Sequence, residues 1–145
     1  MTVRVGVNGF GRIGRNFFRA ARARGSNLEF VAVNDLGSID TMAFLLANDS
    51  VHGRMDAEVV ATDDGIVVDG REIRVLSERS PADLPWGDLG VDVVVESTGI
   101  FTSRDKAALH LEGGARKVII SAPSGDCDAT FVVGVNDDDY DPAQH

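Results

Sequence analysis

The sequence predicts an α/β fold: a doubly wound parallel sheet interrupted by an antiparallel meander. Three observations carry that reading. Val3, Val5 and Val7 alternate with Arg4, Gly6 and Asn8 in the two-residue period of a strand, and the chain then runs through Gly9, Gly11 and Gly14 into a helical pattern. Between Glu58 and Leu76, short β-branched runs are separated by Asp63-Asp64-Gly65 and Asp69-Gly70, the turn chemistry of hairpins. Later, Val91–Glu96 and Lys117–Ser121 are nearly continuous apolar runs, as expected of parallel strands covered on both faces.

Taken in order, the first strand is followed by a helix in which Ile13, Phe17, Ala20 and Ala21 form one stripe. Arg12, Arg15, Arg19 and Arg22 form another, read as a solvated face, and Gly25 is the natural stop. Leu28–Val33 is a second strand ending in Asn34-Asp35. A short apolar helix over Thr41–Ala47 starts from Ser38 or Asp40. Asn48 to Met55 is a polar connection, and the meander follows it. Arg79-Ser80-Pro81 through Pro85-Trp86-Gly87 is a loop in which Trp86 is a packing anchor. After the strand ending in Glu96 come Ser97-Thr98-Gly99, a helix over Arg104–Leu111 that Ser103 can cap and Gly113-Gly114 end, and the strand ending in Ser121. Thr130–Val135 is a further strand candidate, and Asp137-Asp138-Asp139 reads as a solvated turn without metal-ligand spacing.

Composition sets bounds. At 145 residues the chain has the size of one domain, and 43% hydrophobic with 26% charged residues is ordinary for a globular protein. A net charge of −9, from 23 acids against 14 bases, argues against a nucleic-acid surface. No apolar run approaches the length of a membrane span and the N-terminus lacks a secretion pattern, so a cytoplasmic location without membrane attachment is expected. The single cysteine, Cys127, excludes an internal disulfide.

The strand, glycine turn and helix start have a chemical reading. Gly9 allows the bend, Gly11 removes the side chain that would block a pyrophosphate, and Gly14 packs helix against strand. The amides of Arg12 and Ile13, with the helix dipole, then favour the anion. Asp35 stands 21 residues past Gly14, close to the roughly 20 expected for a carboxylate that accepts from the adenosine ribose and repels the extra phosphate of NADP. The spacing therefore points to NAD; a strand-end Asp can also simply cap a turn. Polar residues at the carboxyl ends of strands, Thr98 and Gly99 among them, are expected to face a ligand, though they also suit a turn.

These residues together resemble the phosphorylating glyceraldehyde-3-phosphate dehydrogenase family almost end to end. The matching stretches are Val7-Asn8-Gly9-Phe10-Gly11-Arg12-Ile13-Gly14-Arg15, Asn34-Asp35, Asp49-Ser50 with His52-Gly53-Arg54, and Pro85-Trp86-Gly87. Further on come Glu96-Ser97-Thr98-Gly99 with Phe101-Thr102, Gly113-Gly114-Ala115 with Lys117–Pro123, and Gly134-Val135-Asn136. The resemblance implies a Rossmann-type NAD-binding domain over residues 1–145. Its cofactor residues would be Asn8, Gly9, Phe10, Gly11, Arg12, Ile13, Asn34, Asp35, Arg79, Thr98, Gly99 and Ser121, with Arg12 and Ile13 on the pyrophosphate, Arg79 bordering the adenine, and Thr98, Gly99 and Ser121 toward the nicotinamide. Arg79 could equally be a surface ion-pair partner.

The resemblance also implies chemistry that these residues do not carry. In the family a cysteine adds to the aldehyde of glyceraldehyde 3-phosphate, hydride leaves, and inorganic phosphate releases an acyl phosphate, assisted by a histidine. Cys127 lacks the family's Ser-Cys-Thr-Thr context, and His52, His110 and His145 stand outside the base motif, so no residue here is expected to be catalytic. The catalytic domain and the contacts of a homotetramer are expected beyond residue 145. Two other readings stay open: a free-standing dinucleotide-binding module, and a fragment of the relative that oxidises erythrose 4-phosphate, which Asp35 and Glu96-Ser97 disfavour.

Overall fold

The computed structural model describes residues 2–145. β1 (Val3–Asn8), α1 (Arg12–Ala23) and β2 (Leu28–Asn34) form the first unit of strand, helix and parallel strand, and α2 (Ile39–Ala47) follows. The Asn48–Met55 connection is not wholly irregular: β3 (Asn48–Asp49) and β4 (Gly53–Arg54) make a small hairpin of their own. The meander is β5 (Val59–Ala61), β6 (Gly65–Val68) and β7 (Arg71–Leu76). β8 (Val93–Glu96), α3 (Arg104–Glu112) and β9 (Lys117–Ile120) complete the order.

Seven strands form one sheet in the order β5-β6-β7-β2-β1-β8-β9. From β7 to β9 all neighbours are parallel, whereas β5, β6 and β7 pair antiparallel. The meander thus extends the sheet through β7 on β2 rather than standing apart from it. Because β2 lies on one side of β1 and β8 on the other, the chain reverses its direction of winding at β1. The crevice beyond the carboxyl ends of β1 and β8 is therefore the topological switch point where such sheets take ligands.

The two faces have separate cores. One holds Val5, Val7, Phe18, Val33, Met42, Leu46 and Ile66 beneath α1 and α2. The other holds Ala32, Leu84, Trp86, Val91, Val94 and Ala115. Gly6, between Val5 and Val7, points to the second face, where a Cβ would lie 2.6 Å from the Trp86 ring; only glycine lets the indole reach the sheet. Trp86 is fully buried, as its reading as an anchor requires.

Four local expectations need correction. Thr130–Val135 is not a strand: Gly134 takes φ +79° and the Asn136 side chain receives the Val132 amide while donating to Thr130 O, so the segment closes on itself as turns. Val133, 88% exposed, confirms that its apolar residues bury little. The inward stripe of α1 is Gly14, Phe18 and Ala21 with Phe17 half-buried, and Ile13 and Ala20 face out, a rotation of the stripe by about one position. Its arginines are not merely solvated. Arg15 donates to Phe10 O, Arg19 to Leu46 O and Gly53 O, and Arg22 pairs with Asp69, so the long side chains strap α2 and the meander to α1. Ser38 caps α2 through the Thr41 amide, but Ser103 makes no such bond to α3; Asp126 accepts from the Arg104 amide instead.

Candidate functional site

The carboxyl ends of β1, β2 and β8 lie abreast, with Asn8 paired to Asn34 on one side and to Glu96 on the other. From that line the chain rises into the glycine turn. Gly9 takes φ +89°, donates its amide to Asn34 O at 2.8 Å, and receives the Ser97 hydroxyl on its carbonyl at 2.6 Å. A Cβ there would sit 2.7 Å from Thr98 N, and one on Gly14 would sit 2.4 Å from Gly9 O. These two glycines close the turn against β8 and against α1.

Gly11 is different. It is the N-cap residue of α1, no side chain caps that helix, and a Cβ on it would touch nothing within 4 Å. Its lack of a side chain serves no contact within the protein. The first-turn amides of Arg12, Ile13 and Gly14 point out of the helix toward the same open space, with the positive end of the helix dipole behind them. One strand over, Asp35 Oδ2 accepts from the Phe10 amide at 2.8 Å and Oδ1 from the Gly37 amide at 3.0 Å. The carboxylate is thus fixed at the rim of the turn, with lone pairs left over for a ligand. Gly99, at φ +75° and with nothing near its Cβ position, lines the β8 side.

The other expected residues divide into rim and support. Arg12 extends along the rim and is paired with Asp49 at 2.9 Å, while Ile13 is exposed beside it. Asp49 accepts from the amides of His52 and Val51 as well as from Arg12, and these bonds hold its carboxyl below the usual range. Asn8 and Asn34 do not face the crevice: both are buried, and their side chains bond to each other. The Phe10 ring is buried too, leaving its amide as the part that acts. Ser121 directs its hydroxyl to Glu96 O, and Arg79 is exposed one residue past Glu78. The concavities of about 660 Å³ at Arg54–Glu58 and about 640 Å³ between β9, α3 and the C-terminal segment lie away from this rim.

Sequence reasoning missed the layer beneath. Glu96 accepts from Asn8 Nδ2, His110 Nε2 and both the amide and hydroxyl of Thr98, and Trp86 Nε1 donates to His110 Nδ1. Only the polar residue closing an otherwise apolar strand hinted at it. Burial pushes the Glu96 carboxyl up, but the hydrogen bonds outweigh burial and leave it below its ordinary value. Glu96 and Asp49 therefore stabilise the fold above the ordinary carboxylate pKa, and that stabilisation is lost as pH falls through their lowered values. A thermal-unfolding midpoint that is level near neutrality and drops steadily once pH passes below about 4.5 is the expected result; a midpoint that rises on acidification would contradict it.

A glycine turn closed by its neighbours, an uncapped helix start above it and a carboxylate anchored to the turn, all at a switch point, define a dinucleotide-binding domain. Residues 3–104 match the family model described as glyceraldehyde 3-phosphate dehydrogenase, NAD binding domain. The chain belongs to that family, and NAD is its cofactor. Over all 145 residues it is 62% identical to the glyceraldehyde-3-phosphate dehydrogenase of Streptomyces coelicolor and 60% identical to that of Geobacillus stearothermophilus, in each case spanning 43% of the relative's length. It is 64% identical to glyceraldehyde-3-phosphate dehydrogenase 1 of Streptomyces arenae, spanning 44% of it. The open faces of Gly11 and Gly99 and the spare lone pairs of Asp35 fit the dinucleotide.

Proposed function

We propose that residues 1–145 form the NAD-binding domain of a cytoplasmic, homotetrameric glycolytic enzyme. Its reaction is the oxidation of glyceraldehyde 3-phosphate, with inorganic phosphate, to 1,3-bisphosphoglycerate. NAD supplies the hydride acceptor. This chain's part is to bind and orient it: the α1 amides and Gly9–Gly11 take the pyrophosphate, Asp35 the adenosine ribose, Arg79 the adenine side, and Thr98, Gly99 and Ser121 the nicotinamide end. Asn8 and Asn34 act by holding the strand ends in line. On this reading the thiol and the base are not among residues 1–145.

The observation that carries this reading is the bond from the Phe10 amide to Asp35, which sets the sugar-binding carboxylate against the phosphate-binding turn. A free-standing binding module is the second reading. It is favoured by the surroundings of Cys127, whose thiol meets Ser124 O, Ala129 O and the Thr130 hydroxyl. Calorimetric titration of the chain with NAD, followed by an assay of NADH absorbance with triose phosphate and inorganic phosphate, tests the proposal. Binding without turnover is expected; turnover by these residues alone would refute the placing of thiol and base elsewhere.

A further inference from the structure

Two directed hydrogen-bond chains converge on Glu96. The first starts at the backbone N–H of Glu78, which can only donate, and reaches Asn34 Oδ1 at 2.8 Å. The Asn34 amide nitrogen must then point the other way, to Asn8 Oδ1 at 2.7 Å, and Asn8 Nδ2 in turn donates to Glu96 Oε2 at 2.6 Å. The second chain starts at Trp86 Nε1, also purely a donor, which reaches His110 Nδ1 at 3.0 Å. That leaves the imidazole proton on Nε2, which lies 2.8 Å from the same Glu96 oxygen. The other oxygen, Oε1, receives the Thr98 amide at 2.8 Å and the Thr98 hydroxyl.

All four groups that touch the carboxyl, Asn8 Nδ2, His110 Nε2 and the amide and hydroxyl of Thr98, donate to it, so it has no acceptor for a proton of its own. Glu96 is an anion, its side chain 1% exposed. The groups that face it are the neutral imidazole of His110 from α3, the Asn8 amide from β1 and Thr98 from its own turn, and none of them is a cation. Ordinary buried carboxylates are paired with positive charge. This one is solvated by dipoles alone and keeps its net negative charge, directly against Thr98 and in the strand end that leads to Gly99.

We propose that Glu96 is a specificity-determining residue of the cofactor site: a fixed, unbalanced negative charge that favours the cationic, oxidised nicotinamide over the neutral, reduced ring. The proposal rests on the nicotinamide lying beside Thr98 and Gly99. The adenosine, ribose and pyrophosphate parts are the same in both redox states, so Asp35, Arg12 and the α1 dipole contribute equally and drop out of the ratio of affinities. Glu96 does not, because only the oxidised ring carries a charge for it to attract. One buried charge acting across a single residue is worth about tenfold in that ratio.

The test measures dissociation constants of NAD⁺, NADH and AMP for the 145-residue chain and for Glu96→Gln. AMP affinity is expected to change less than about twofold, while the preference for NAD⁺ over NADH falls by about tenfold. Equal weakening of NAD⁺ and NADH overturns the charge role, as it would leave Glu96 only a structural one. A wild-type chain that binds NAD⁺ no tighter than AMP instead sinks the nicotinamide placement on which the proposal rests. Because glutamine brings an N–H into a ring of donors, a variant that does not fold is answered on the wild-type chain. By reciprocity of coupling, the carboxyl carbon resonance of Glu96 should titrate about one pH unit lower with NAD⁺ bound than with the acid-stable, neutral-ring tetrahydro analogue; identical midpoints overturn the proposal.

Discussion

Gly11→Ala leaves the fold as stable as before and weakens NAD binding by about a hundredfold, whereas Gly9→Ala damages both. The contrast follows from what each Cβ would meet. At Gly11 the backbone is extended, φ −76° and ψ −156°, a conformation alanine adopts freely, and the new methyl touches nothing within 4 Å. The methyl enters open space at the start of α1, where the proposed pyrophosphate would sit, so a loss would fall on binding alone. At Gly9 the φ of +89° is itself costly for alanine, by about 1–2 kcal/mol, and the Cβ would press on backbone at Thr98 N and Ser97 C. Since both neighbours are main chain, the turn must leave β8 and carry the Phe10 amide away from Asp35. Calorimetry with NAD, beside thermal unfolding of each variant, reads the two effects separately. Full-strength binding by a folded Gly11→Ala variant would show that the pyrophosphate does not approach there.

Asp35→Asn is expected to cost NAD about tenfold or more in affinity and to bring NADP to near parity with it. The carboxylate is held by two backbone amides, from Phe10 and Gly37, which orient it without using all its lone pairs. On the proposed reading, what remains would accept from the two ribose hydroxyls and repel a 2′-phosphate. Asparagine keeps one oxygen for the Phe10 amide, so the turn stays in place, but it removes the repulsion and offers a donor where an acceptor is needed. Parallel titrations with NAD and NADP check this. An unchanged preference between the two cofactors would mean that the ribose sits elsewhere.

Local pattern was enough wherever a segment's structure depends on its own period and punctuation. The alternation of Val3, Val5 and Val7, the glycines after it, the Asp-Gly turns of the meander and the start of α2, read as Ser38 or Asp40 and found at Ser38, each act within a few residues. Asp35 was legible because the strand–turn–helix–strand unit fixes how far along the chain its end must fall. Thr130–Val135 was misread because a β-branched run becomes a strand only against a neighbour's free edge, and here Gly134 and Asn136 turn the backbone onto itself. The arginines of α1 read as solvated because their period says which way they point, not what packs within their reach.

By itself, then, the sequence determined most of the order of elements, the glycine turn, the carboxylate at the end of β2 and the family they belong to. Only the tertiary structure decided that Asn8, Asn34 and Glu96 stand side by side at the strand ends, that His110 and Trp86 close the row from α3 and the loop, and that the Glu96 carboxyl is bonded to Thr98. The reason is register. Which polar residues are buried together depends on pairing between strands up to 88 positions apart in the chain, and no pattern within one segment carries that information.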